Sequence, residues 1–392
     1  MEFIKYCIKL TLTFILHVFW IFPIKKERLF FINDHSFSFA DNLKYLSLYL
    51  AEKDKDKYQL FFSLKNNSGI ENESIHPIKH HSIKHFFYAL TSSVLVTNMG
   101  GISYLPIRKK QIVINTWHGG GPYKVSGIDA IHGYWYDKEQ RYNAKKTDYI
   151  LSSCRIFTEV EAKSMYYPLE KCINSGMPRN DVLFDNKIVN ALKGKVHDHF
   201  RIDAKTNIIL YAPTFRGNFE DYQGVIANDL LEIDYQLITK EIERRFGGKW
   251  VFAVRLHPKL KDVKFNATDL INMSFYPDAQ ELIAAADILI TDYSSVMWDF
   301  SLRKKPCLIF ATDINDYEVK RGFYIPPEEW PYPIATTNSE MVDNIRQFDL
   351  EEYQSKVKMH HEAVGNYDVG NACTTVETLI CRQIEARFGG QS

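Results

Sequence analysis

The sequence lacks several features that would each point to a particular class of protein. Its 48 basic residues are balanced by 48 acidic residues, so no bulk charge favours a nucleic-acid partner, and any anion site must be built locally. Its six cysteines include no CxxC pair, which argues against a zinc site or a disulfide framework and fits a reducing cytoplasm. Neither half contains GxGxxG, so a dinucleotide-dependent hydride transferase is disfavoured.

Metal-ligating patterns are equally scarce. The stretch from His76 to His85 is rich in histidine but contains no cysteine or carboxylate, and we interpret it as a solvated or lipid-facing basic face. Asp54 and Asp56 form a formal DxD motif, yet they lie among lysines in an expected loop. We therefore predict no metal site, and whether a divalent metal assists the reaction is left open.

The composition is that of a folded protein with a large core. The chain has 392 residues, of which 45% are hydrophobic and 14% aromatic, and this length favours two domains.

The first 24 residues are strongly apolar, and residues 1–27 are interpreted as a membrane-associating segment. A cleaved signal peptide needs small residues at its cleavage site, and only bulky residues follow Trp20. A spanning helix needs about 20 apolar residues, more than the uninterrupted run here provides. An in-plane anchor, with Lys25, Lys26 and Arg28 near lipid phosphates, explains the whole pattern. A spanning helix and a buried first helix are the remaining alternatives.

From residue 28 onward, short β-branched or aromatic runs alternate with helical stretches, which is typical of βα units around a parallel sheet. A lysine-rich helical segment from Asn190 to Thr206 separates two such series. We predict an α/β protein with two Rossmann-like domains, at residues 28–195 and 196–392, and helices at the end of the second. The expected strands carry the sequences RLFFIN, YQLFFSL, SVLVTNM, QIVINTW, DYILSS and KCINSG, then NIILYAPT, WVFAVRLHP, LINMSFYP, DILITDY and PCLIFAT.

The stretch INTWHGGGPYK places His118 at the end of an expected strand, directly before three glycines. In open α/β sheets, ligands bind at the carboxyl ends of the strands. A histidine there can remove a proton from an attacking hydroxyl, and Gly119 and Gly120 let a ligand or a backbone approach closely. A structural histidine that closes a tight turn is the alternative.

Two further stretches favour phosphate binding. RLHP places Arg255 and His257 on the same side of a strand end, although a solvated rim is the alternative. In ITDYSSVMWDF, Thr291 ends a strand, and Ser294 or Ser295 is expected to cap a helix through Leu302, whose free N–H groups suit a phosphate. An ordinary capped helix would look the same. Asp299, one turn further on, could order a nearby ring or hydroxyl.

Three other residues stand at plausible strand or loop edges. Arg179 in GMPRND and Arg321 in KRGFY could each clamp a diphosphate, or could be surface ion-pair partners. Thr214 follows the first strand of the second half in YAPTFRGN.

Together, TWHGGGPYK, SGMPRNDVLF, LYAPTFRGN, RLHP, ADILITDYSSVMWDF and RGFY resemble, in order and spacing, the CDP-glycerol glycerophosphotransferase family, with SFADNLKYL as a fainter match upstream. The resemblance implies a glycosyltransferase-B-like fold with a central cleft, and transfer of polyol phosphate from CDP-glycerol with release of CMP. It implies a base at His118 and a lipid-linked or saccharide acceptor near Gly119, Gly120 and Lys124. It implies that His257, Ser294 and Ser295 line the donor diphosphate, with Asp299 and Arg321 as helpers, and we predict His118, His257 and Asp299 as the catalytic residues. From their positions in the sequence, we also expect donor contacts at Thr291, Arg255, Thr214 and Arg179.

The same resemblance implies a role in teichoic acid or capsule synthesis at the cytoplasmic face of a bacterial membrane. One departure from the family pattern is that Gly120 and Gly121 precede Pro122, which suggests extra room beside His118. The alternatives are a nucleotide-sugar glycosyltransferase, a CDP-ribitol-dependent enzyme, and a membrane-bound assembly protein without turnover. Oligomeric state and the number of units added are left open.

Overall fold

The computed structural model describes residues 2–34, 36, 38–53, 55–65, 69–130, 133–214, 232–256 and 269–389. The chain divides into two compact units. Unit 1 comprises Met1–Gly119, Val125–Asp181 and Gly365–Ser392, and unit 2 comprises Gly120–Lys124 and Val182–Val364. The chain therefore leaves unit 1 twice and returns to it twice.

The strands of the described residues are β1 Lys25–Ile32, β2 Gln59–Leu64, β3 Ile75–Lys79, β4 Ser92–Thr97, β5 Ile112–Asn115, β6 Tyr149–Ser152, β7 Cys172–Asn174, β8 Thr206–Ala212, β9 Lys249–Val254, β10 Leu270–Asn272, β11 Ile288–Thr291, β12 Cys307–Phe310 and β13 Ile334–Ala335. The helices are α1 Glu2–Leu16, α2 Asp41–Lys53, α3 Ile83–Thr91, α4 Tyr134–Lys146, α5 Ala162–Ser164, α6 Asn186–Phe200, α7 Tyr235–Phe246, α8 Ala279–Ala285, α9 Val296–Ser301, α10 Ile314–Lys320, α11 Asn338–Gln347, α12 Leu350–Val364 and α13 Ala372–Phe388.

Unit 1 is built on a parallel sheet with the strand order β3-β2-β1-β4-β5-β6-β7. Strand β1 is buried on both faces because its residues alternate between two apolar clusters. Leu29 and Phe31 pack on the face covered by α2 and α13, and Phe30 and Ile32 pack on the face covered by α1 and α3. A strand covered on both faces needs a continuous apolar sequence, and this feature predicted β1.

Unit 2 has its own parallel sheet, with the order β10-β9-β8-β11-β12-β13. The strand order reverses beside β8, and in unit 1 it reverses beside β1, so each sheet has one switch point where neighbouring connections run to opposite sides. Ligands of doubly wound sheets bind at the carboxyl ends of the strands at such points. The predicted α/β class with two parallel sheets is confirmed.

The division between the units differs from the boundary expected at residues 195 and 196. Helix α6 lies wholly in unit 2, where Lys193 Nζ lies 2.8 Å from an Asp287 carboxylate oxygen and Lys195 Nζ lies 2.9 Å from Glu281 Oε1. The units instead divide between Asp181 and Val182. The last helix, α13, belongs to unit 1, where the Asp181 carboxylate accepts hydrogen bonds from the first backbone N–H groups of that helix, at Ala372 and Cys373.

Helix α1 packs on unit 1 along one side only. Leu16 is buried, and Thr13 donates to the Tyr104 carbonyl at 2.9 Å. In the 3-10 helix His17–Ile21 that follows, Trp20 Nε1 donates to the Pro106 carbonyl at 2.8 Å. Phe14 on the other side is 80% exposed. Among the described residues, no helix combines the length and the apolar character that crossing a bilayer requires.

Candidate functional site

His118 lies three residues beyond β5, in a tight turn. Trp117 adopts a left-handed backbone conformation with φ 55°, which is uncommon for a residue with a large side chain. The turn is held by hydrogen bonds from Thr116 N to the Thr97 carbonyl at 2.7 Å and from Trp117 N to Asn115 Oδ1 at 2.9 Å. The imidazole is therefore presented from a fixed backbone rather than from a flexible loop.

The tautomer of His118 follows from its partner. Nδ1 lies 3.1 Å from the Asn98 carbonyl oxygen, and a carbonyl can only accept. Nδ1 must then carry the proton, which leaves the acceptor role to Nε2. A neutral histidine with this tautomer is suited to take a proton through Nε2.

Asp41 and Arg179 complete this part of unit 1. Arg179 Nη1 donates to Asp41 Oδ1 at 2.5 Å and to the His118 carbonyl at 2.8 Å, and Asn98 Nδ2 donates to Asp41 Oδ2 at 2.8 Å. Burial raises the pKa of Asp41, but Arg179, the hydrogen bond from Asn98 and the charge of His118 outweigh it and lower that pKa. The carboxylate is therefore ionised at neutral pH.

Asn42 of α2 connects that helix to the turn that carries His118. Its Nδ2 donates to the Trp117 carbonyl at 3.0 Å, and its Oδ1 accepts from the backbone N–H of Arg179 at 3.2 Å. Asn42 is fully buried, so these bonds replace water that the site excludes.

The room expected beside His118 at the glycines is filled by an indole. A Cβ on Gly120 would lie 2.0 Å from Trp298 Cδ1, and one on Gly121 would lie 2.4 Å from Trp298 Cε3. The expectation of extra space was wrong, because the missing side chains make room for Trp298 of α9. Gly120 was predicted to face the acceptor; here it faces Trp298.

The segment Gly120–Lys124 is anchored within unit 2. Lys124 forms an antiparallel bridge with Phe323, and the N–H of Tyr324 donates to the Tyr123 carbonyl at 2.9 Å. Within unit 2, the segment Gly120–Lys124 thus lies beside the residues of the KRGFY motif. Arg321 is the C-cap residue that follows α10 and is exposed.

At the switch point of unit 2, Thr214 and Asp292 join the ends of β8 and β11. The Asp292 carboxylate accepts from the Thr214 N–H at 2.8 Å and from the Thr214 hydroxyl at 2.6 Å. Asp292 is fully buried. Thr214 therefore orders the edge of the sheet, and its predicted contact with the donor stays a prediction.

Helix α9 begins at Val296, as the sequence predicts, and ends at Ser301, one residue short of the expected end. Ser294 and Ser295 are half-buried at its start. The Ser294 hydroxyl accepts from Val296 N over a long 3.5 Å, and the Ser295 hydroxyl does not cap the helix. Thr291 is buried and its hydroxyl donates to the Ala212 carbonyl at 2.7 Å. Asp299 is only 2% exposed, which fits an ordering role.

Arg255 follows β9, and its Nη1 donates to the Tyr276 carbonyl at 2.8 Å. Burial lowers the pKa of its guanidinium. His257, expected beside it, lies outside the described residues, as does Asp54 of the DxD pair.

The histidine-rich stretch differs from the solvated basic face that the sequence suggested. His85 is fully buried, with Nδ1 2.9 Å from the Ser63 hydroxyl and Nε2 3.2 Å from the Tyr104 hydroxyl. Burial lowers the pKa of His85 to about 3 and that of His80 to about 4, so both rings are neutral at pH 7. Within the described ranges, no group of three or more histidine, cysteine or acidic residues could hold a metal ion.

The structure thus collects the predicted residues into two sets. His118 and Arg179 lie at the switch-point edge of unit 1, whereas Thr291, Ser294, Ser295 and Thr214 lie at that of unit 2. Sequence reasoning missed Asp41, Asn98 and Asp292. Each of the three is a polar residue just after a strand or at the start of the next helix, which is the signal that could have found them.

Two parallel sheets, each with polar side chains gathered at its switch point, define a doubly wound α/β protein with a candidate ligand-binding edge in each unit. The model of the CDP-glycerol:poly(glycerophosphate) glycerophosphotransferase family matches residues 14–382. The chain therefore belongs to this family, and the resemblance read from the motifs is confirmed.

Two relatives and one solved structure show the extent of the likeness. The chain is 28% identical over 380 residues to the teichoic acid poly(glycerol phosphate) polymerase of Staphylococcus epidermidis, covering 92% of this chain and 51% of that protein. It is 28% identical over 348 residues to the corresponding polymerase of Bacillus spizizenii, covering 85% and 86%. The structure of the wall teichoic acid polymerase TagF is similar with a TM-score of 0.83, 25% identity and 98% coverage of both chains. The chain thus spans about half the length of the S. epidermidis polymerase.

Proposed function

We propose that the protein transfers glycerol phosphate from CDP-glycerol to an acceptor hydroxyl and releases CMP. The observation that carries the proposal is the hydrogen bond from His118 Nδ1 to the Asn98 carbonyl, because it assigns Nε2 as the proton acceptor. Family membership supplies the donor: the matching family is described by its transfer of glycerophosphate from CDP-glycerol.

In the proposed step, the acceptor hydroxyl attacks the phosphorus that bears the glycerol, in line with the bond to CMP. His118 Nε2 takes the hydroxyl proton as the new P–O bond forms, and the P–O bond to CMP breaks with its electron pair going to the CMP phosphate. A positioned base of this kind contributes about 10²–10⁴ in rate.

Charge grows on the phosphoryl oxygens and on the departing CMP, so fixed donors there matter more than covalent chemistry. We assign the stabilisation of this negative charge to donors in unit 2. The Ser294 and Ser295 hydroxyls at the start of α9 and the cations Arg255 and Arg321 are of the right type, and His257 remains a candidate for the same role. Asp292 and Thr214 would hold the edge of the sheet on which these groups stand.

For this reaction, His118 of unit 1 and the donor diphosphate held by unit 2 must act on one substrate. We therefore propose the glycosyltransferase-B-like arrangement that the resemblance implies. The likeness to TagF over 98% of both chains supports it.

A role in teichoic acid synthesis is supported by the relatives, which are named as teichoic acid polymerases. The acceptor would then be a lipid-linked or saccharide carrier, and a capsule polymer with glycerol phosphate units would need the same step. Mass spectrometry of the product made on a defined acceptor separates single addition from polymerisation.

The donor is tested by measuring CMP or UDP release from CDP-glycerol, CDP-ribitol and UDP-N-acetylglucosamine, each with added magnesium and with a chelator. The proposal expects fastest release of CMP from CDP-glycerol. Preference for CDP-ribitol would change the polyol, and release of UDP alone would replace the proposal by a glycosyltransferase. No release from any donor in the presence of acceptor would favour an assembly protein.

We also propose that α1 attaches the protein peripherally to the cytoplasmic face of the membrane. Ile4, Ile8 and Ile15 recur at helical spacing and are 62%, 60% and 59% exposed, and Phe14 is 80% exposed beside them. The exposed Lys25 and Lys26 follow the helix, which suits anionic headgroups.

Sedimentation with vesicles tests this attachment. The protein should bind vesicles containing phosphatidylglycerol more tightly than vesicles of phosphatidylcholine alone, and Ile8→Ser with Phe14→Ser should abolish the binding. Val319→Ser is the matched control, because Val319 is 89% exposed on α10 of unit 2. Equal binding by the double variant and the control would exclude α1 as the attachment site.

A further inference from the structure

We propose that Asp41 is a positioning residue for His118. The Asp41 carboxylate stabilises the imidazolium that forms when His118 accepts the proton. The inference rests on the proposed function, since it concerns the same base. It adds a residue that the motifs around His118 do not contain.

Both oxygens of the Asp41 carboxylate are fixed. Oδ1 accepts from Arg179 Nη1 at 2.5 Å, and Oδ2 accepts from Asn98 Nδ2 at 2.8 Å. The side chains of Asp41 and Arg179 are each only 11% exposed. Little water screens this carboxylate, so its charge acts strongly on nearby groups.

The same two partners hold His118. Arg179 Nη1 donates to the His118 carbonyl at 2.8 Å, and the Asn98 carbonyl accepts from His118 Nδ1 at 3.1 Å. Asn98 is itself fixed, because its Nδ2 donates to Asn33 Oδ1 at 2.9 Å and its Oδ1 accepts from the N–H of Asp34 at 3.0 Å. Asp41 and His118 are thus joined on two sides by shared neighbours.

Backbone strain supports a functional arrangement. Asp41 has φ 63° and Trp117, next to His118, has φ 55°. Left-handed conformations of residues other than glycine are strained and persist where surrounding contacts enforce them. Here both strained residues lie beside the contacts that join Asp41 to His118.

The electrostatic interaction between the two groups is reciprocal. The charge of His118 lowers the pKa of Asp41, after the larger effects of burial, Arg179 and Asn98. By linkage, the charge of Asp41 raises the proton affinity of His118 to the same extent. Arg179 opposes this effect. We therefore expect the basicity of His118 to depend on Asp41 from α2 and on Arg179 from the segment Pro178–Phe184.

The test is an NMR titration of the His118 ring in the full chain, with the resonance assigned from His118→Ala. Asp41→Asn keeps the shape and tolerates the left-handed backbone, and we expect it to lower the pKa of His118 by about one pH unit or more. Arg179→Gln should raise that pKa. Glu52→Gln, an exposed carboxylate on the same helix, should leave it unchanged. The acidic limb of the pH–rate profile for CMP release, which reports protonation of the base, should move in the same directions.

Opposite shifts for Asp41→Asn and Arg179→Gln separate this role from simple loss of structure, which would move both variants alike. Should Asp41→Asn fail to fold, the upward shift in Arg179→Gln still tests the idea. An unchanged His118 titration in either folded variant overturns the inference. The titration uses no substrate, so absence of CMP release by the unaltered chain would count against the proposed function alone.

Discussion

The indole of Trp298 lies against the backbone of Gly120, with 2.0 Å between Trp298 Cδ1 and the position that a Cβ at Gly120 would occupy. Trp298 is fully buried on α9, directly after the Ser294–Ser295 turn. The residues that follow the base in sequence are thus part of the core of the unit that we assign to the donor. Steric exclusion by Trp298, rather than turn conformation, explains glycine at positions 120 and 121.

Gly120→Ala should lower the free energy of unfolding by about 1–3 kcal/mol, since the added methyl group cannot be accommodated without moving the indole or the backbone. Urea denaturation measures this. Gly194→Ala on α6 is the control: a Cβ there meets no atom within 4 Å, and the change should be neutral or stabilising. A similar response of the two variants would show that Trp298 does not constrain Gly120.

His118→Ala should reduce the turnover number for CMP release by about 10²–10⁴, because the attacking hydroxyl loses its proton acceptor. The dissociation constant for CDP-glycerol, measured by calorimetry, should change little. Turnover near that of the unaltered chain would remove His118 from the chemistry.

Thr214→Val should destabilise unit 2 by about 1–3 kcal/mol, because it leaves the fully buried Asp292 carboxylate without the hydroxyl that lies 2.6 Å from it. Thr214→Ser keeps the hydroxyl and should retain most of the stability. Thermal unfolding of the two variants gives the comparison, and equal losses would assign the effect to the methyl group instead.

Stability should fall as pH rises through the titration of Asp34. Burial raises the pKa of Asp34 to about 6 from 3.8, although Thr97, Gly101 and Lys9 oppose the effect. The folded protein therefore binds a proton more tightly than the unfolded chain, and this contribution is complete below pH 4 and lost through pH 6.

Asp34→Asn should remove that pH dependence and stabilise the protein at pH 8 by about 1–3 kcal/mol, since the amide oxygen can still accept from Thr97 and Gly101. Denaturant unfolding between pH 4 and 8 checks this. Asp56→Asn, an exposed carboxylate, is the control. An unchanged slope in Asp34→Asn would assign the pH dependence to other groups.

The alternation of apolar runs and helices predicted most of the two sheets, because strands buried on both faces need continuous apolar sequence. Strand β3 was not predicted from the sequence. It is an edge strand of unit 1 that carries Pro77 and exposed His76, and an edge tolerates both. The sequence of β3 is polar because the strand lies at the edge of the sheet, and this polarity is why the strand was not recognised.

The sequence predicted individual residues of the site, but it did not predict which of them contact one another. His118 was found from its place after β5, but Asp41 and Arg179 lie 138 residues apart, and local pattern does not encode such a contact. Arg179 was expected to clamp the donor; in the structure it contacts Asp41 and the His118 carbonyl in unit 1. Gly120 and Gly121 were expected to leave open space beside His118. The sequence alone does not show that the Trp298 side chain packs against them, because Trp298 is distant in the sequence.

The return of residues 365–392 to unit 1 constrains how this protein folds during synthesis. Val376 and Ile380 of α13 fill the face of the first sheet beside Leu29 and Phe31, yet the ribosome delivers them only after all of unit 2 has been made. The part of this face that α13 covers must therefore stay exposed while the second unit emerges. A chaperone that shields this surface during translation would act on unit 1, although α13, the helix that covers it, is made only after unit 2.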